Sequence, residues 1–133
     1  MFLFESLLVA MSTYSVIPVP QFEWNDRNMK YAICFFPAVG IFCGTALWGW
    51  SALTELLEIG SFFFAMIATC LPLLITGGIH MDGYMDTVDA LASHQSRERK
   101  LEILKDPHCG AFAVIYCGVY LLIYAGLIHE LFT

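Results

Sequence analysis

Four apolar stretches, residues 2–19, 31–53, 61–79 and 111–128, take up most of this 133-residue chain, and each is 18 residues or longer. A helix crossing the hydrocarbon core of a bilayer needs about 20 apolar residues, with a range of roughly 17–25. Segments this long cannot sit in lipid as open strands, because every backbone amide and carbonyl must be satisfied within the segment, and a helix does this. Composition agrees. Hydrophobic residues make up 59% of the chain and charged residues 14%, against about 45–50% and about 25% in ordinary soluble domains. A soluble all-α core of this composition would lack the polar surface to cover it. The expectation is an all-α polytopic membrane bundle of about four spanning helices, forming one integral membrane domain over residues 1–133.

Charge is informative by position. The basic residues Arg27, Lys30, Arg97, Arg99, Lys100 and Lys105 fall in two segments, 20–30 and 80–110, while the connection from Thr54 to Gly60 carries Glu55 and Glu58 and no Lys or Arg. If all four stretches span, the two basic segments share a face, and the positive-inside rule makes it the cytoplasm. There is no basic patch of the kind that binds nucleic acid. Stretch 2–19 contains Glu5, Ser12, Thr13 and Ser15 and closes on Pro18-Val19-Pro20; it lacks the basic opening of a signal peptide, and it either spans, the favoured reading, or forms a shorter helix packed against the others. The five cysteines, Cys34, Cys43, Cys70, Cys109 and Cys117, show no close zinc-type spacing and read as small buried hydrophobes.

Two small-residue features interrupt the apolar runs. Gly40 and Gly44 form a G-x-x-x-G pair, a candidate helix–helix face. Thr76-Gly77-Gly78 ends the third run, either as a loose helix end or as a break that exposes backbone to a polar ligand. The polar segment that follows is expected to form a helical hairpin at the cytoplasmic face, with helices over 79–92 and 96–106 and Pro107 as the stop.

The chemistry concentrates there. Asp82, Asp86 and Asp89 stand at i, i+4 and i+7, so on a helix they project within roughly 60° of one another. Like charges so close repel, and no Lys or Arg lies between Asp82 and Asp89 to neutralise them. A divalent cation would, and Mg²⁺ is usually held by one or two carboxylates together with substrate phosphates and water. Glu98, Glu102 and Asp106 form a second stripe, interleaved with Arg97, Arg99, Lys100 and Lys105. By itself that stripe suits a solvated face with i,i+4 pairing better than a binding site. Were the two helices antiparallel, the six carboxylates would meet at one metal and phosphate site. His80 is a candidate ligand or base, His94 and His108 lie at turns, and His129 sits beside Glu130 at the far end of the last run.

The run Gly77-Gly78-Ile79-His80-Met81-Asp82-Gly83-Tyr84-Met85-Asp86-Thr87-Val88-Asp89, followed by Arg97, Leu101-Glu102-Ile103-Leu104-Lys105-Asp106 and Gly110, resembles the cobalamin synthase family. These are the membrane-bound adenosylcobinamide-GDP ribazoletransferases of prokaryotes. Ile17-Pro18-Val19-Pro20 and Phe36-Pro37 with Val39-Gly40 are similar to the family's opening. The resemblance runs from about residue 10 to 118 and corresponds to the N-terminal half of proteins nearly twice this length, so the chain reads as truncated relative to them. It implies Mg²⁺-dependent transfer of the cobinamide phosphate of adenosylcobinamide-GDP to α-ribazole or its 5′-phosphate, with release of GMP. It places the protein in the cytoplasmic (inner) membrane, in contact with lipid, with the site facing the cytoplasm and the oligomeric state open. On that reading Asp82, Asp86 and Asp89 hold Mg²⁺, Arg99 and Lys105 contact phosphate, and Glu102, Asp106 or His80 acts in catalysis.

Two other classes compete. A CDP-alcohol-type phosphotransferase also uses helically spaced aspartates, but Gly83 directly follows the first aspartate and the arginine of that motif is missing. A cation transporter would want its carboxylates mid-span, whereas these begin where the third apolar run ends.

Overall fold

The computed structural model describes residues 2–20 and 26–132, so part of the expected polar loop from Gln21 to Lys30 lies outside the described residues. Among the described residues seven α-helices follow one another: α1 (Phe2–Tyr14), α2 (Asp26–Ala32), α3 (Phe36–Leu56), α4 (Ser61–Thr76), α5 (Ile79–Ala92), α6 (Arg97–Ile103) and α7 (Ala111–Leu131). The all-α membrane architecture stands. The chain divides into two compact units, Met1–Ile79 and His80–Thr133.

The number of spans is smaller than expected. Among the described residues two helical stretches, Met29–Leu56 and Ala111–Leu131, are long and apolar enough to cross a membrane. A third span arises only if α4 and α5 count together as one broken crossing. Helix α1, expected within a spanning run over 2–19, has 13 residues and is therefore about 20 Å long, well short of a hydrocarbon core of about 30 Å. Its last turn is drawn into local bonds. Ser12 and Thr13 donate to the Val9 carbonyl at 3.0 and 2.7 Å, and Ser15 donates to Met11 at 2.6 Å. Beyond it, Pro18 and Pro20 hold the preceding residues away from helical dihedrals.

In the first unit α1 packs on α2 and α3, and α3 packs on α4. The core is small, formed by Val9, Ala10 and Ala32 with Tyr14 and Phe35 packed around it. A 3-10 turn over Ile33–Phe35 leads into α3. Pro37 is the cause: it has no N–H to give the Ile33 carbonyl, which instead takes the Phe36 N–H one residue earlier. Across the α3–α4 turn, the Trp50 indole donates to the Phe64 carbonyl at 3.1 Å.

The expected use of Gly40 and Gly44 is not seen. A Cβ at either would meet nothing within 4 Å, so no described helix approaches that face closely. Helices α3 and α7 instead show large apolar side chains outward, among them Ile41, Trp48, Ile115 and Leu122, as helices solvated by lipid do.

The glycine pair does end α4. Gly77 and Gly78 have φ of +65° and +76°, and the Gly78 N–H returns to the Leu73 carbonyl at 2.9 Å, closing the helix as left-handed caps do. The Ile75 carbonyl, in the last turn of α4, finds a partner from elsewhere in the unit, accepting the Val16 N–H at 2.9 Å. The extended chain after α1 is thus stitched to the end of α4.

Candidate functional site

Helix α5 starts directly after the glycine break and carries His80, Asp82, Asp86 and Asp89 in register. His80 and Asp82 are exposed, while Asp86 and Asp89 are partly covered. The one-turn spacing puts Asp82 and Asp86 on one side of the helix.

Asp89 is engaged differently. Its Oδ2 accepts the Gly110 N–H at 2.6 Å and its Oδ1 accepts the Ala113 N–H at 2.8 Å. Gly110 is the N-cap of α7 and has no side chain with which to cap it. The Asp89 carboxylate, reaching from α5, occupies that position. Tyr84 and Tyr120 form a second contact between the two helices, with ring centroids 5.8 Å apart.

Helix α6 begins at Ser96, as the sequence suggests, with the Ser96 hydroxyl accepting the Arg99 N–H. It ends at Ile103, short of Asp106, and the chain continues in tight turns through Lys105 and Asp106. The antiparallel hairpin is not formed: α5 and α6 do not pack along their lengths. A seven-residue helix offers two turns, too few to bury a stripe of its own. The two acidic stripes therefore do not converge, and among the described residues no three His, Cys, Asp or Glu side chains are grouped closely enough to hold a metal.

The residues of the second stripe have local partners. Arg99 donates to Glu102, both well exposed, and such pairs contribute about 0–1 kcal/mol. An incoming phosphate could therefore take Arg99 at little cost. Asp106 accepts the His108 N–H at 3.0 Å and lies 2.6 Å from His108 Nδ1. The backbone amide of His108, and then its ring, hold the Asp106 carboxyl below its ordinary range. Glu98 is likewise lowered, by backbone hydrogen bonding and then by the Ser96 hydroxyl. Lys105 is exposed.

Sequence reasoning passed over Cys109 as a reporter of this site. Its thiol is exposed and is raised above its ordinary value, first by lost hydration and then by the negative charges of Asp89 and Asp86, with Asp82 contributing less. A raised thiol pKa leaves less thiolate at a given pH and slows alkylation. Replacing Asp86 with Asn removes one of those charges, and Cys109 should then react about twofold faster with a water-soluble maleimide near pH 8. An unchanged rate in a variant whose other four cysteines are replaced would show that Asp86 does not act at that loop.

For Mg²⁺ the fit rests on Asp82 and Asp86, hard oxygen donors one turn apart. A pair is what this ion takes when a phosphorylated substrate fills the remaining positions. Asp89 does not share that freedom, since both of its oxygens accept backbone amides.

The comparisons with known proteins bear on the chain as a whole. The family described as Cobalamin-5-phosphate synthase matches residues 6–133. An adenosylcobinamide-GDP ribazoletransferase of Lachnoclostridium phytofermentans is 52% identical over 127 residues, covering 96% of this chain and 49% of the relative. Proteins of the same name from Desulfitobacterium hafniense and Clostridium perfringens are 40% and 38% identical, covering 93% and 84% of this chain and 50% and 45% of their own lengths. The chain thus spans about half the length of the curated relatives it matches. No solved structure matches it. These likenesses favour neither the CDP-alcohol phosphotransferase nor the transporter reading. With the match running from the middle of α1 through the end of α7, the chain belongs to the cobalamin-5-phosphate synthase family.

Proposed function

We propose that this chain carries the metal- and diphosphate-binding part of an adenosylcobinamide-GDP ribazoletransferase, set in the prokaryotic inner membrane with α5 and α6 on the cytoplasmic side. One observation supports this most directly: Asp82 and Asp86 share a side of a helix that begins where an apolar helix ends at a glycine break. The relatives' name supplies the substrate class.

In the proposed reaction a hydroxyl of α-ribazole, or of its 5′-phosphate, forms a bond to the cobinamide-side phosphorus. The bond from that phosphorus to the bridging oxygen breaks, and the bridging oxygen leaves on GMP. The hydroxyl proton passes to a base, for which His80, Glu102 and Asp106 are the candidates. Glu102 and Asp106 are held by Arg99 and His108, so either must exchange a partner to accept it. Asp82 and Asp86 would hold Mg²⁺, which would neutralise diphosphate charge and stabilise the departing oxygen. Arg99 and Lys105 bind phosphate oxygens. Transfer of this kind depends on positioning and electrostatics more than on covalent help from the protein.

Purified chain incubated with adenosylcobinamide-GDP, α-ribazole phosphate and Mg²⁺ is expected to release GMP. No release under conditions in which a full-length relative turns over would refute the reading for this chain.

A further inference from the structure

We propose that Asp89 is a positioning residue that fastens α5 to the start of α7, and that it does not ligate the metal. In a capping box two reciprocal bonds close a helix start: the N-cap side chain accepts the N3 amide and the N3 side chain accepts the N-cap amide. At α7 those positions are Gly110 and Ala113, and neither has a polar side chain. One carboxylate does both tasks. Asp89 Oδ2 takes the N-cap amide and Oδ1 the N3 amide. An anion there also meets the positive end of the helix dipole.

Gly110 belongs to the same device. A Cβ at that position would lie 2.7 Å from each Asp89 oxygen and 2.8 Å from its carboxyl carbon. Only glycine lets the carboxylate reach the two amides. Asp86 and Asp82 ride on the same helix, one and two turns back, and the Tyr84–Tyr120 contact joins the same two helices. The clamp therefore fixes where the aspartate pair stands relative to α7.

The metal half of this inference rests on the function proposed above, whereas the clamp itself does not. Two measurements on the purified full chain in detergent separate them. The first is a double-mutant cycle of Gly110→Ala and Asp89→Ala, read by thermal midpoint and by amide exchange over residues 110–113. Gly110→Ala alone is expected to lower the midpoint by about 4 °C or more and to speed exchange at least about fivefold. In the Asp89→Ala background it should add little to either. Additive effects would overturn the clamp.

The second is a titration with Mn²⁺, followed by the electron-spin signal of the free ion. Asp89→Asn keeps one acceptor oxygen and should bind within about threefold of the parent, whereas Asp86→Asn should lose about tenfold or more. Equal losses in the two variants would make Asp89 a ligand and overturn the positioning role. If the parent binds no Mn²⁺, the metal reading of the site fails, and the exchange cycle alone decides the clamp. Where Gly110→Ala does not fold, Asp89→Asn exchange over 110–113 takes its place: exchange as slow as the parent's overturns the clamp.

Discussion

Replacing Asp86 with Asn is expected to cut GMP release at ordinary Mg²⁺ by about 100-fold or more, equivalent to about 2.7 kcal/mol of barrier. The change is nearly isosteric and leaves α5 its length and its polar side, so membrane insertion should not change. Folding should improve slightly if anything, because like charges one turn apart cost about 0.2–0.5 kcal/mol and the variant removes that repulsion. This pairing of a large loss of activity with unimpaired stability sets a ligand apart from a structural residue. High Mg²⁺ should restore part of the rate by mass action. Turnover within a few-fold of the parent at ordinary Mg²⁺ would refute the assignment, and Asp82→Asn is expected to behave in the same way.

The second large effect lies at the helix break. Gly77→Ala is expected to destabilise the first unit by about 1.5–3.5 kcal/mol, a large share of the stability of an ordinary domain. Two costs combine. At φ +65° an L side chain costs about 1–2 kcal/mol. The new Cβ would also stand 2.7 Å from Val16 Cγ1, and because Val16 is exposed its side chain can turn aside at about 0.5–1.5 kcal/mol. Gly78 is an internal control, with φ +76° but nothing within 4 Å of its would-be Cβ. Gly78→Ala should therefore show the backbone cost alone. Val16→Ala should return part of the loss in the Gly77→Ala chain and none in the Gly78→Ala chain. Unfolding curves in detergent that give Gly77→Ala and Gly78→Ala the same cost would contradict the Val16 contact.

The two positions show why some of this protein is legible from residues alone. Asp82 and Asp86 share a side of α5 because helical geometry is local: four residues make about one turn, whatever surrounds them. The Gly77-Gly78 break is local as well, since the left-handed region is open to glycine at little cost. The start of α6 at Ser96 follows from one hydroxyl and one amide three residues on. The spans were harder to read. Stretch 2–19 has the composition of a crossing, but the Val16 N–H is bonded to Ile75 on another helix, and no sliding window sees a partner so far along the chain. The acidic hairpin failed for the converse reason. Spacing put both stripes on helices, but whether two short helices pack depends on what their other sides bury.

Residue order by itself determined that the chain is helical and apolar enough for a membrane, and where α5 places its first two aspartates. It also held the motifs by which the family is known. Only the tertiary structure decided that Asp89 leaves that group. Its two amide partners lie 21 and 24 residues away, at the bare end of a helix whose cap residue is a glycine. A carboxylate goes where unsatisfied N–H groups need it, and that place is set by the meeting of two helices in space.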